Sequence, residues 1–159
     1  MTALLLTCMT MLSQWLPTGT EHFKQMVVLS AIESACNPTA VSSAGARGLT
    51  QIMPLTGQML WHDCGMLGEY DELSLHNPAV SIALSHCYLR RLQRRWGSTA
   101  AALAAYHGGT AAGKAVVRGK GLRAITGMYV TKYHHLLEVL NEVSTHSTPT
   151  SGSNSTGTP

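Results

Sequence analysis

The feature that most constrains the fold is the segment from Asn77 to Gly97, which carries both helix start and helix stop signals. Asn77 is a residue type that caps helix N-termini, and Pro78 fits the first helical position because that position needs no N–H donor. Gly97 supplies the left-handed conformation with which helices commonly end. Between these signals, residues at helical spacing predict one buried stripe, made of Val80, Ala83, Leu84, Cys87, Tyr88 and Leu92. We therefore predict one long helix with a buried face.

Composition extends the helical prediction to the rest of the chain. The 159 residues are 45% hydrophobic and 12% charged, with a single Phe and many Ala, Leu and Met. This composition excludes a disordered chain and favours helices over a β-sandwich. Thr20 is predicted to cap a second helix, and residues 128–143 to form the last one, whereas residues 39–75 are expected to form short helices and loops. A short Ala-rich helix is expected to end at Gly108 and Gly109. We expect one all-α domain.

The two ends of the chain differ from its middle. Residues 1–17, MTALLLTCMTMLSQWLP, have no Lys or Arg before their apolar part and no A-x-A cleavage site, and they are too short to span a bilayer. We therefore expect a helix that ends at Pro17 and packs on the next helix, with a targeting peptide as the alternative. Residues 145–159 are mainly Ser, Thr, Gly and Pro, and we expect a disordered tail there, which leaves 1–144 as the domain.

Charge and cysteine patterns argue against several function classes. The formal charge of +3 is mild, and Arg90–Arg95 (RRLQRR) is expected to be a solvated helix face, because no nucleic-acid-binding module accompanies it. Cys8, Cys36, Cys64 and Cys87 form no CxxC pair and the eight His form no HExxH motif, so we expect no metal and no cofactor. Each Cys could be a small core residue, and in an oxidising compartment Cys36 could pair with Cys64.

One carboxylate stands out at the end of the second predicted helix. At about 100° per residue, Glu33 lies nearly in line with Met26, so it is predicted to sit beside apolar surface. A carboxyl group held there prefers its neutral form, which raises its pKa toward the range of a general acid. The alternative is a helix-end Glu that turns into water. The stretch SSAGARG at 42–48 supplies tight turns, and Ser42 and Gln51 offer polar contacts to a sugar or to the carboxylate.

These residues belong to a longer pattern that resembles the soluble lytic transglycosylase family. The pattern ES…NPTAVSSAGARGLTQIMPLTG, residues 33–57, is similar to the signature of that family. The segments NPAVSIALSHCYLRRL, LAAYHGG and YVTKY then follow in the family's order. The resemblance covers residues 14–143 and implies an all-α, goose-lysozyme-like fold with a sugar-binding groove.

The resemblance also implies a reaction. Peptidoglycan would be cleaved without water at the β-1,4 bond between MurNAc and GlcNAc, leaving a 1,6-anhydro-MurNAc end. Glu33 would act first as general acid and then as general base. Two-carboxylate glycosidases use a second acid as nucleophile or base, whereas a single Glu can serve both steps of a transglycosylase. The resemblance therefore explains why Glu33 has no neighbouring acid in the sequence.

The family's groove, carried over position by position, gives the substrate-binding residues. They are Ser42, Gln51, Met53, Tyr106, His107 and Tyr129. Tyr106 would form a hydrogen bond near Glu33, and Tyr129 would close the groove. His107 stands where the family usually has Asn, and an imidazole can become charged near neutral pH.

Two other functions fit the same residues. A muramidase of the same fold would hydrolyse the bond with a water activated by an acid of the loop from Asp63 to Glu72, and a non-catalytic wall-binding protein would use the groove alone. In each case the partner is the glycan strand of peptidoglycan, met in the periplasm or cell wall, with no nucleic acid and no stable membrane span. The setting would be a phage virion or lysis component, or a secretion or conjugation machine, reached by an export route that the sequence leaves open.

Overall fold

The chain forms a bundle of α-helices, seen in a computed structural model that describes the backbone of residues 1–146 and the side chains of residues 1–143. Within these residues the extended pairing is limited to isolated bridges at Arg47. The helices are α1 (Thr2–Leu12), α2 (Glu21–Ser34), α3 (Pro54–Leu60), α4 (Pro78–Trp96), α5 (Thr99–Val117) and α6 (Ala124–His146), with a 3-10 helix at Glu72–His76. The predicted all-α fold is confirmed. The predicted tail was to begin at residue 145, but residues 145 and 146 still belong to α6, and from residue 147 onward the tail lies outside the described residues.

Helices α2 and α4 begin where their capping residues predicted. The Asn77 side chain accepts hydrogen bonds from the backbone N–H groups of Ala79 at 2.9 Å and Val80 at 3.4 Å. The Thr20 hydroxyl accepts one from the N–H of Phe23 at 3.0 Å and so caps α2. These bonds satisfy backbone donors that the first turn of a helix leaves without an intrahelical partner.

The buried face of α4 differs from the predicted stripe. Of the predicted residues, Leu84 and Leu92 are buried, Ala83 is exposed, and the remaining three, Val80, Cys87 and Tyr88, are half-buried. The buried residues are Ser81, Ile82, Leu84, Ser85, Leu89 and Leu92. The prediction for Ala83 was wrong because α4 packs on two clusters: Ile82 and Leu89 join the main core, while Leu84 joins a smaller one.

The main core surrounds α2, to which α1, α4, α5 and α6 each contribute buried side chains. Val27, Val28 and Leu29 are consecutive and all fully buried, so α2 is covered around most of its circumference. A helix in that position is hydrophobic on nearly every side. The smaller cluster, which includes Ile52 and Trp61, packs beneath the loop region between α2 and α4.

Two disulfides connect helices to the long region between α2 and α4. Helix α1 packs on α2 as predicted, although it ends at Leu12 rather than at Pro17, and its Cys8 is bonded to Cys36. Cys64 is bonded to Cys87 of α4. The predicted pairing of Cys36 with Cys64 was wrong, because α1 and α4 each bring a closer cysteine to these two positions.

Helix α5 continues past the glycines that were expected to end it. Gly109 has φ 75° and ψ −178°, which interrupts the helix, but helical backbone resumes and runs to Val117. A Cβ atom on Gly108 would lie 3.0 Å from Oγ1 of Thr126, so the missing side chain lets α5 approach α6 closely at this point. Helix α6 in turn starts at Ala124, earlier than predicted.

Candidate active site

Glu33 lies in the last turn of α2, half-buried at the edge of the main core. Burial raises the pKa of its carboxyl group from 4.5 to about 7, because ionisation there loses hydration. The hydroxyl of Tyr129 donates a hydrogen bond of 2.7 Å to Oε1 of Glu33 and opposes this shift, since it stabilises the carboxylate. The predicted position beside apolar surface and the raised pKa are both confirmed.

The end of α2 is tied to the loop that follows it. The Ser34 hydroxyl donates a hydrogen bond of 2.7 Å to the carbonyl of Leu49, which fixes the loop against the turn that carries Glu33. Ala35 and Cys36 both have left-handed backbone, at φ 52° and 61°, so the chain leaves the helix abruptly. Ser34 was not predicted as a site residue, although its place beside Glu33 in the ES pair was the available signal.

Tyr129 and His107 form a stacked pair next to Glu33. Tyr129 is buried on α6. The ring centroids of Tyr129 and His107 are 4.4 Å apart, and the angle between the two ring planes is 9°. Partial desolvation lowers the pKa of His107 from its ordinary value of 6.5, so the ring becomes charged at a lower pH than predicted. Tyr129 was predicted to close the groove, and the structure gives it the hydrogen bond to the carboxylate.

Tyr106 bonds the loop instead of the carboxylate. Its hydroxyl donates a hydrogen bond of 2.9 Å to the carbonyl of Thr50, whereas the hydrogen bond to the Glu33 carboxylate itself comes from Tyr129. Thr50 is itself held by the buried hydroxyl of Ser81 at 2.9 Å, which places its carbonyl within reach of Tyr106. Burial and the charge of Glu33 raise the pKa of Tyr106 well above 10, so its hydroxyl stays protonated and a donor.

A cavity of about 230 Å³ brings four of the predicted substrate-binding residues together. These are Gln51, Met53, Tyr106 and His107. The other residues that line it are Ile52, Thr56, Tyr88, Ala105 and Gly109. Glu33 and Tyr129 do not line this cavity. They are connected to it because Tyr129 bonds to Glu33 and stacks on His107, which is a lining residue.

Gln51 and Ser42 stabilise the loop by hydrogen bonds to its backbone. Gln51 has left-handed backbone at φ 51°, and its side-chain nitrogen donates to the carbonyls of Gly48 at 3.0 Å and Ala40 at 3.3 Å. A left-handed residue other than glycine is strained, and such strain tends to occur at functional sites. The Ser42 hydroxyl accepts a hydrogen bond of 3.0 Å from the N–H of Ala46 and does not line the cavity.

The acids that could supply a second carboxylate are on the surface. Asp63 pairs with Arg91 at 2.7 Å and Glu72 with Arg47 at 2.8 Å. Within residues 1–143, the pKa of Glu33 responds only to burial and to the hydrogen bond from Tyr129, with no contribution from another carboxylate. A neighbouring negative charge would have raised that pKa further.

The arginines of RRLQRR are exposed, as predicted for a solvated face. In the described part of the chain, no three His, Cys, Asp or Glu side chains come together as a metal site would require. Among the helices traced up to residue 146, none has both the length and the hydropathy of a membrane span.

Comparison with known proteins gives one family match and several relatives. A family model described as "Transglycosylase SLT domain" matches residues 20–126. The chain is 40% identical over 78 residues to a transglycosylase of Enterobacteria phage PRD1, covering 49% of the chain and 26% of the relative. It is 41% identical over 66 residues to the membrane-bound lytic murein transglycosylase C of Haemophilus ducreyi, covering 41% of the chain and 18% of that protein.

Solved structures share the fold at low sequence identity. The 70 kDa soluble lytic transglycosylase of Escherichia coli superposes with a TM-score of 0.66 at 21% identity, over 83% of this chain and 24% of that one. An inactive mutant of the lytic transglycosylase Slt of Pseudomonas aeruginosa gives a TM-score of 0.67 at 22% identity, over 93% of this chain and 25% of that one. The chain thus spans about a quarter of the length of these proteins and of the phage relative.

Proposed function

The chain belongs to the transglycosylase SLT domain family, and from this membership and the geometry around Glu33 we propose that it is a peptidoglycan lytic transglycosylase. It cleaves the β-1,4 bond between MurNAc and GlcNAc without water and leaves a 1,6-anhydro-MurNAc end. One observation carries the proposal: a single half-buried carboxyl group with a pKa of about 7 lies beside a groove, with no second carboxylate acting on it within the described residues.

In the first step Glu33 acts as general acid. Its Oε1 accepts the hydrogen bond from Tyr129, so the proton is carried by Oε2 and passes from there to the oxygen of the glycosidic bond. The bond between that oxygen and C1 of MurNAc then breaks, and GlcNAc leaves with a free 4-hydroxyl group. Positive charge develops at C1 and on the ring oxygen of MurNAc, as in other glycosidic cleavages.

In the second step the same carboxylate acts as general base. Glu33 takes the proton from the 6-hydroxyl of the MurNAc unit while that oxygen bonds to C1, which closes the anhydro ring and restores the carboxylic acid. Between the two steps Glu33 is ionised, and the hydrogen bond from Tyr129 stabilises this charged form. A pKa near 7 suits a group that must both give and take a proton at neutral pH.

The glycan contacts follow from the lining of the 230 Å³ cavity. The exposed side chain of Met53 provides apolar surface to a sugar ring, and the amide oxygen of Gln51 accepts a hydrogen bond from a sugar hydroxyl, since its nitrogen holds the loop. Tyr106 and His107 also line this cavity, and Tyr129 acts through Glu33. Ser42 contributes by shaping the loop and, at its exposed side, by contact with the strand.

The product of the reaction provides the test. Purified peptidoglycan is digested and the masses of the released muropeptides are measured by mass spectrometry. The mass distinguishes the two reactions because hydrolysis adds one water that the anhydro product lacks. We expect anhydro products from the wild type, none from Glu33→Gln, and wild-type products from the surface variant Glu72→Gln. Hydrated products would identify a muramidase, and equal activity of Glu33→Gln would overturn the role of Glu33. Binding without cleavage by the wild type would indicate a wall-binding protein.

We also propose where this activity takes place. Both disulfides are expected to persist in an oxidising compartment, which agrees with action in the periplasm or cell wall. The phage relative favours a virion or lysis setting over a secretion or conjugation machine. Residues 1–144 are the catalytic unit in this proposal.

A further inference from the structure

The turn that follows Glu33 has an unusual backbone conformation. Ala35 and Cys36 both have left-handed φ angles, 52° and 61°, and neither is a glycine. A helix commonly ends with one left-handed residue, usually a glycine, because a Cβ atom is strained in that conformation. Two such residues in a row persist only where the surrounding structure holds them in place. Contacts from outside the turn must therefore stabilise it.

Hydrogen bonds within the turn stabilise it only in part. The N–H of Cys36 donates to the carbonyl of Ser30 at 3.1 Å. The N–H of Asn37 donates to the carbonyl of Ser34, also at 3.1 Å. The side chain of Ala35 is exposed, so it adds little packing. Bonds between neighbouring backbone groups are lost together when the end of a helix frays, so they do not by themselves keep the turn closed.

The side chain of Cys36 connects the turn to the core. It is buried and bonded to Cys8 of α1, which is fully buried. Cys8 shares the buried face of α1 with Leu5 and Leu12, and all three belong to the main core. The disulfide thus attaches the strained turn covalently to a packed helix.

Glu33 depends on this turn because it lies in the last turn of α2, three residues before Cys36. The buried part of α2 ends at Ala31, and residues 32–34 are only half-buried. Fraying from the end of the helix would therefore move the carboxyl group away from its hydrogen bond of 2.7 Å with Tyr129. A misplacement of about 1 Å in an active site can lower the rate about a hundredfold.

The second disulfide provides an internal comparison. The Cys64–Cys87 bond joins the segment after α3 to α4 and has a sequence separation of 23, close to the separation of 28 between Cys8 and Cys36. Loop closure therefore predicts similar contributions of the two bonds to the free energy of unfolding. Only the Cys8–Cys36 bond adjoins the turn that follows Glu33.

Neither disulfide belongs to a cavity wall. None of the four cysteines lines the cavity of about 230 Å³ in the candidate active site. None lines a larger, mainly aliphatic cavity of about 610 Å³ beside Arg123, between α5 and α6. Loss of the Cys8–Cys36 bond should therefore affect the turnover of bound substrate more than its binding.

We propose that Cys8 and Cys36 are positioning residues for Glu33, and that the chain becomes active only after their disulfide has formed. This inference rests on the proposed function. The two thiols lose two protons and two electrons to a disulfide oxidant, which is reduced to two thiols while the two sulfur atoms join. Because thiols stay reduced in the cytosol, the chain stays inactive until it reaches an oxidising compartment.

Three double variants test the positioning role, assayed on purified peptidoglycan in sucrose so that circular dichroism shows each of them folded. Cys8→Ala/Cys36→Ala should lower kcat about a hundredfold with KM nearly unchanged. Cys8→Ala/Cys36→Gly also lacks the bond, but glycine adopts the left-handed turn without strain, so about tenfold of that loss should be recovered. Cys64→Ala/Cys87→Ala should keep the wild-type kcat. Equal losses in the two double alanine variants, or no recovery with glycine, would overturn the proposal.

The redox dependence is measured with Cys64→Ala/Cys87→Ala, in which only the Cys8–Cys36 bond can form. The protein is refolded with dithiothreitol and then transferred to oxidised glutathione. Its kcat should be about a hundredfold lower before the transfer than after it. Cys8→Ala/Cys36→Ala, treated in the same way, should show no change. Equal activity of the first variant before and after the transfer would contradict the proposal.

A measurement without cleavage separates this inference from the proposed function. If the wild type cleaves no peptidoglycan, the proposed function fails, and the NMR signal of the Glu33 carboxyl carbon decides the inference. Cys8→Ala/Cys36→Ala should bring the pKa of Glu33 from about 7 toward 4.5, because the carboxyl group becomes hydrated. Cys64→Ala/Cys87→Ala should leave that pKa at about 7. The same pKa in both variants would exclude the positioning role.

Discussion

Replacing Glu33 by Gln should make the protein more stable at alkaline pH while it removes activity. The folded protein raises the pKa of this carboxyl group from 4.5 to about 7, so the folded state holds the proton more tightly than the unfolded chain does. The stability that the neutral carboxyl contributes is fully present below pH 4.5 and is lost as the pH rises through about 7. Above that range the wild type carries a charge that its surroundings disfavour.

The size of the effect follows from the two pKa values. The interval from 4.5 to about 7 corresponds to about 3 kcal/mol at about 1.36 kcal/mol per pKa unit. Gln cannot ionise, and its side-chain oxygen can still accept the hydrogen bond from Tyr129. The difference in the free energy of unfolding between Glu33→Gln and wild type should therefore increase by about 3 kcal/mol as the pH rises from 4.5 to above 7.

Urea unfolding followed by circular dichroism at a series of pH values measures this difference. Other titrating groups affect both proteins alike, so they cancel in the comparison. Glu69→Gln is the matched control, because it makes the same substitution at an exposed position outside both cavities. Its difference from wild type in the free energy of unfolding should increase much less with pH. A difference between Glu33→Gln and wild type that stays constant or shrinks as the pH rises would refute the reasoning.

Three further changes test neighbouring features. Tyr129→Phe removes a charge-assisted hydrogen bond worth about 1.5–3 kcal/mol and should therefore raise the pKa of Glu33. The alkaline limb of the pH profile of kcat should move upward by about one pH unit, and an unmoved limb would contradict this expectation. His107→Asn should retain activity at acidic pH that the wild type loses when the imidazole becomes charged, which burial shifts to a lower pH than for a free histidine, whereas coincident acid limbs would mean that His107 does not affect Glu33. Replacing both Cys64 and Cys87 by Ser should lower the free energy of unfolding by about 3 kcal/mol, from the entropy of closing a loop with a separation of 23 residues, and an unchanged urea midpoint would argue against that value.

Local signals in the sequence were sufficient for the capped starts of α2 and α4 and for the environment of Glu33. Asn77 and Thr20 cap helices through their own neighbours, so the prediction needed no knowledge of the rest of the fold. The position of Glu33 on the same side of α2 as Met26 likewise depends only on helical periodicity. Both properties are decided within a few residues of sequence.

Contacts between distant segments were not predictable in the same way. Glu33 and Tyr129 are 96 residues apart, and which tyrosine reaches the carboxylate depends on how α6 lies across α2. Resemblance to the family selected both Tyr106 and Tyr129 but did not indicate that Tyr129 makes the hydrogen bond to the carboxylate. The pairing of Cys36 depended in the same way on the position of α1, and the aliphatic cavity beside Arg123 depended on how α5 resumes after its break.

The two disulfides have a consequence for the segment that lies between them. Cys36 and Cys64 are the two ends of that segment, and each is cross-linked outward, to α1 and to α4. Because both ends stay attached to helices, opening the segment gains only the conformational entropy of a closed loop. The left-handed turn at Gln51 therefore lies in a segment whose open conformations are restricted, so less conformational entropy remains to be lost when a glycan binds.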